Sequence, residues 1–178
     1  MILMLKHLVR LTAVLLFLGA SALRAEEINP PFGLRWGETA ERLAKLLNGA
    51  KATIVDKHFI DGKEAWDVEG LLQAGLKRTV FYFHRGELVE VELQYQQDGW
   101  DDAHYTTLMN DVRKRLEQRY GDGQLIARRT EPAPDPDVTQ KIIGYKWNQN
   151  NTAIELVYFA AVNTTQSYRT LSVHYKTY

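Results

Sequence analysis

Cysteine is missing from all 178 residues, and with it go disulfide staples, thiolate nucleophiles and thiolate metal sites. Serine is nearly as scarce. Beyond residue 22 only Ser167 and Ser172 remain, and neither sits in the G-x-S-x-G elbow that exposes a hydrolase nucleophile. An excess of one charge is lacking too, because 22 basic residues face 22 acidic ones. Proteins that bind nucleic acid are usually basic, since neutralising phosphates drives their affinity, so nucleic acid is not an expected partner. The histidines show no H-x-x-x-H or H-x-H spacing, so no metal-ligating pair is arranged locally. Asp98, Asp101 and Asp102 lack the spacing of a calcium loop and read as helix-capping residues. These gaps predict a protein that is not an enzyme and carries no cofactor and no metal.

Long hydrophobic runs are also short in supply. The main one, Leu11 to Gly19, ends well below the roughly 18 apolar residues of a membrane span. Lys6 and Arg10 precede it, and Ala20-Ser21-Ala22 follows with small residues at the positions signal peptidase reads. Residues 1–22 are therefore expected to be a secretory signal peptide, with Ala25 as a later alternative cut. No cysteine follows the run, so neither a lipid anchor nor a membrane span is expected, and the product is placed in the periplasm or outside the cell. Residues 23–31 form a polar, proline-containing leader, expected to be loosely held.

Residues 32–178 then suffice for one ordinary domain. Thr39 is a good N-cap, Leu43, Leu46 and Leu47 make one apolar stripe, and Asn48-Gly49 stops a helix over about 39–48. From Lys51 to Tyr95 the period changes to two. Asp61-Gly62 marks a two-residue hairpin, Gly75 and Arg85-Gly86 mark further turns, and four strands result. In the fourth, Val89, Val91, Leu93 and Tyr95 alternate with Glu90, Glu92 and Gln94, which predicts one packed face and one wet face. Tyr105, Leu108, Met109, Val112, Leu116 and Tyr120 define a second, longer helix ended by Gly121. Strands are expected near 124–129, 140–147, 152–160 and 168–176. Trp66, Trp147, Tyr95 and Tyr158 fall at inward positions and belong to the expected core.

Val91-Glu92-Leu93-Gln94-Tyr95 echoes Ile154-Glu155-Leu156-Val157-Tyr158, and each stretch lies downstream of an amphipathic helix. The pattern predicts an α+β fold. A pseudo-repeat over 37–97 and 101–178 supplies two helix-plus-antiparallel-strand units, which form one mainly antiparallel sheet with both helices packed on one face. The opening Phe32-Gly33-x-x-Trp36-Gly37-x-Thr39, with Arg119-Tyr120-Gly121, Trp147 and Ile154-Glu155-Leu156, resembles a group of uncharacterised exported bacterial α+β proteins. The repeated layout is more remotely similar to the β-lactamase-inhibitor-like architecture. That likeness implies a fold and assigns no site.

The expected role is a non-catalytic envelope protein that binds a protein or peptide partner through its sheet or an edge strand. The alternative is a small-molecule or lipid carrier with a pocket between sheet and helices, lined by Phe81 to Phe83. A hydrolase built on scattered Asp, Glu and His residues has nothing local to favour it. Residues singled out for partner contact are Arg115 and Arg119 on the second helix, Arg128 and Arg129 in the following strand, Asp135 and Asp137 in the proline-rich loop, and Trp100 among its aspartates. Glu90 and Glu92 share a strand face and are weighed as paired carboxylates.

Overall fold

A computed structural model describes residues 26–133 and 137–178. The expected signal peptide and its cleavage sites lie outside the described residues, as do Pro134, Asp135 and Pro136. Helix α1 (Ala40–Gly49) starts where Thr39 Oγ1 accepts the Arg42 N–H at 3.3 Å, and it buries Leu43 and Leu47. Strands β1 (Thr53–Ile60) and β2 (Lys63–Glu69) are joined through Asp61 and Gly62, whose φ angles of 50° and 76° suit a tight hairpin turn. Then come β3 (Leu76–His84) and β4 (Glu87–Tyr95). Helix α2 (Asp102–Tyr120) is capped by Asp101, which accepts the His104 N–H at 2.9 Å. Four strands follow: β5 (Gln124–Pro132), β6 (Thr139–Gln149), β7 (Thr152–Val162) and β8 (Ser167–Thr177).

Among the described residues the eight strands form a single antiparallel sheet in the order β1-β2-β3-β4-β8-β7-β6-β5. Each helix is followed by a four-strand meander, and the two meanders meet where β4 pairs with β8, from Glu90↔Lys176 to Tyr95↔Leu171. One face of the sheet carries Trp66, Phe81, Val91, Leu93, Leu171, Val173, Leu156 and Trp147. These side chains form a single core with Leu43 and Leu47 of α1 and Tyr105, Met109, Val112 and Leu116 of α2. Both helices thus cover the same face, as alternating apolar strands opposite amphipathic helices require. Among the described residues no helix is long and apolar enough to cross a membrane.

Three local features differ from the sequence reading. Tyr82 pairs with Glu90 but Phe83 pairs with Leu88, so Val89 is the extra residue of a β-bulge. Leu88 takes the buried position expected for Val89, which is half-buried. From Glu26 on, the leader is docked rather than loose: Ile28 is buried, its N–H bonds Gln149 Oε1 at 3.0 Å, and Trp36 Nε1 donates to its carbonyl at 3.1 Å. Lastly, the echo of 91–95 in 154–158 matches β4 with β7, whereas β4 and β8 occupy equivalent places in the two meanders. The echo records the shared alternation of interior strands, and the repeat resides in the element order.

Candidate functional site

The residues singled out for partner contact are dispersed. Arg119 is spent on the leader, its Nε and Nη2 donating to the Glu26 carboxylate at 2.9 and 2.6 Å. Arg115 is exposed, and its charge reaches the Tyr95 and Tyr175 phenols, two core-facing side chains of β4 and β8. Burial pushes the Tyr95 hydroxyl up to about 12 despite that charge. Arg128 meets Arg113, a residue of α2 not singled out. Both donate to the Tyr145 hydroxyl at 2.9 Å, and the Arg113 guanidinium lies 4.3 Å from the ring centre. Strand alternation turns Arg129 to the opposite face, where it pairs with Glu131 at 3.1 Å. Asp137 is exposed, and Asp135 lies outside the described residues. Trp100 packs on Gly75, where a Cβ would come within 2.5 Å of the indole. It also meets Tyr105 edge-on at 5.5 Å and lines an open cavity of about 520 Å³ with His104 and Leu108. This tryptophan staples the start of α2 to the β2–β3 connection.

The helix-free face holds a polar seam that no local motif announced. Glu90 and Glu92 point to this face as expected, yet they are only 7% and 8% exposed because long neighbours lie over them. Lys63 Nζ binds Glu90 at 2.7 Å, and the Tyr82 hydroxyl donates to Glu92 at 2.8 Å. His174 Nδ1 lies 3.0 Å from Glu90, and its Nε2 lies 3.2 Å from Ser172 Oγ and 3.5 Å from Glu92. Lys176 and Lys146 extend the row through Glu155 at 2.8 and 3.2 Å. Nearby, Arg78 binds Asp67 at 2.5 Å and Gln94 at 2.8 Å. Burial raises the Glu90 carboxyl, but bonds from His174 and Lys63 outweigh it and hold the group down at about 2. Tyr82 moves the opposite way, since burial and the Glu92 charge disfavour its phenolate.

Ser172, His174 and Glu90 thus reproduce the hydrogen-bond order of a serine–histidine–carboxylate triad. The surroundings do not suit acyl transfer. Ser172 is 8% exposed and sits mid-strand, where the ladders to β4 and β7 use the backbone N–H groups on either side. An oxyanion hole needs such donors free and aimed at the reacting oxygen. Glu92 adds a second carboxylate at Nε2, so the imidazole serves as a bridge between buried acids.

The sheet edges differ in character. Strand β5 carries Arg128, Arg129, Pro132 and a register shift between Leu125 and Ala127, all common protections of an edge. Strand β1 shifts register only near Val55 and is regular from Asp56 to Ile60. It exposes Val55, Ile60 and above all Phe59, which is 81% accessible. Lys57, the one lysine of β1, folds back so that its ammonium lies 3.6 Å over the Trp66 ring. On the helix-free face of β1 and β2, Asp56, His58 and Asp67 bring ligand atoms within 4.8 Å of one another.

Around Phe81 and Phe83 the space between the sheet and the helices is packed. Phe81 and Phe83 are each 1% exposed and belong to the core. A second cavity of about 580 Å³ lies beside the leader, lined by Pro31, Arg119, Tyr120 and Tyr175 among others, and neither phenylalanine borders it. Comparison with protein-family models, curated proteins and solved structures gave no significant match, so the functional reading rests on this geometry.

Proposed function

We propose that the protein is a non-catalytic binding module of the cell envelope, and that it takes an extended peptide segment of a partner protein by strand addition at β1. One observation carries this reading: β1 is an outer strand with an exposed Phe59 and a regular run from Asp56 to Ile60. The two-residue turn makes Ile60 and Lys63 a hydrogen-bonded pair, so alternate residues Lys57 and Phe59 direct their N–H and C=O groups to the open edge. Added strands gain affinity from such groups and specificity from neighbouring side chains. Val55, Phe59 and Ile60 favour a segment with alternating apolar residues. The polar seam has less to offer a partner, because its charges already satisfy one another. A carrier role has weaker support, since the space beside Phe81 and Phe83 is filled by side chains.

Selection from a library of random linear peptides tests the proposal. Enriched sequences should alternate apolar and polar residues and bind the wild-type protein. They should lose binding to Phe59→Pro, which removes an outward N–H without touching the β1–β2 ladder. The opposite-edge variant Ile126→Pro should keep binding. Failure to enrich any sequence, or equal binding to Phe59→Pro, overturns the reading. A concentration-dependent dimer abolished by Phe59→Pro assigns the edge to a second copy instead.

A further inference from the structure

We infer that Asp56, His58 and Asp67 form a site for a borderline divalent transition-metal ion, of which Zn2+ is the simplest case. The inference does not depend on peptide binding. The β1–β2 register sets Asp56 directly opposite Asp67, and His58 follows two residues along on the same face. One imidazole nitrogen and two carboxylate oxygens therefore converge, all within 4.8 Å. A zinc ion held tetrahedrally at about 2.0–2.2 Å needs its ligands roughly 3.3–3.6 Å apart. Asp56 and His58 are exposed, so small rotations of these side chains close the difference, while buried Asp67 gives a fixed anchor held by Arg78 at 2.5 Å.

The electrostatics point the same way. Two carboxylates directly opposite in an antiparallel pair repel each other unless a cation lies near both. Arg78 serves Asp67, whereas the contact on Asp56 is the His58 imidazole at 3.2 Å. With Asp67 already paired to Arg78, a divalent ion among the three donors supplies a cation to Asp56 and leaves a position open to water. The donor set also selects the metal. An imidazole suits zinc, copper and nickel, while calcium and magnesium favour all-oxygen shells. The donors lie on β1 and β2, whereas His174 lies on β8, four strands from β1.

The test is calorimetric titration of Zn2+ into the purified protein without a histidine tag. One ion per chain should bind, with no competition from excess Mg2+ or Ca2+. Asp56→Asn and His58→Ala should each weaken binding by roughly tenfold or more. Both side chains are exposed, so circular dichroism should show the variants folded. In a histidine side-chain NMR spectrum, Zn2+ should shift one ring, and that signal should be missing in His58→Ala. No saturable binding, unchanged affinity in His58→Ala, or a Zn2+ shift at the His174 ring overturns the inference.

Discussion

His174 and Glu90, 84 residues apart in sequence, meet at 3.0 Å across the seam where the two meanders join. Glu90 is therefore a buried acid held ionised, with Lys63 on one side and the imidazole on the other. Its carboxyl is lowered from 4.5 to about 2 in the folded chain. A lowered carboxylate contributes stability that is complete above the unfolded value and lost as pH falls through the folded one. Urea midpoints of the wild type should fall on acidification from about pH 4.5 toward pH 2. Glu90→Gln should be less stable at neutral pH by about 3 kcal/mol, and its acid dependence should be flatter over that window. Equal acid dependence of the two proteins would show that Glu90 is not the responsible group.

Gly123 lies against Trp147, where a Cβ would come within 2.5 Å of the ring. That ring is buried and tied by its Nε1 to the Gly121 carbonyl at 2.8 Å, so it has little freedom to retreat. Gly123→Ala should cost about 1–3 kcal/mol by overpacking. Thermal unfolding reads the effect, and tryptophan fluorescence should report a displaced indole. An unchanged melting temperature would mean that the indole yields freely.

The docked leader invites a comparison of two variants. Ile28 is 1% exposed, while the Glu26–Arg119 ion pair is open to water. Ile28→Ala should destabilise by about 2–4 kcal/mol. Arg119→Ala should change the urea midpoint little, because exposed ion pairs are weak. The reverse ranking would mean that the ion pair, not apolar burial, fastens the leader.

Phe59 gives a complementary expectation. With 81% of the residue in solvent, Phe59→Ala should alter stability by no more than about 0.5 kcal/mol. A larger loss in thermal unfolding would place Phe59 in the fold rather than at a contact edge, and would remove the support for strand addition.

The elements themselves were legible in the chain. Asp61-Gly62 and Arg85-Gly86 supply the positive φ angles of their turns, and Val91, Leu93 and Tyr95 alternate with Glu92 and Gln94. Register was less so. Nothing local distinguishes Val89 from Leu88 as the buried residue, because the bulge is settled by pairing with β3. The seam was harder still. Ser172 and His174 share a face by strand alternation, but their meeting with Glu90 depends on β8 lying beside β4. Helical spacing linked Arg115 with Arg119, yet docking of α2 on the sheet brings Arg113 to Tyr145 and Arg128. The donor cluster at β1 had a legible half, since Asp56 and His58 share a face at i, i+2. Asp67 joins them through the hairpin register alone.

The single strand pair joining the two meanders has a kinetic consequence. Pairings inside each meander are local, whereas β4 reaches β8 only after a loop of more than seventy residues has closed. Such closure delays nonlocal contacts, so each half-sheet should form before the halves zip together. Interactions made after the rate-limiting barrier govern escape from the native state rather than entry into it. Glu90→Gln should accordingly hasten unfolding in stopped-flow traces and leave refolding nearly unchanged, making the tie to His174 a latch on lifetime.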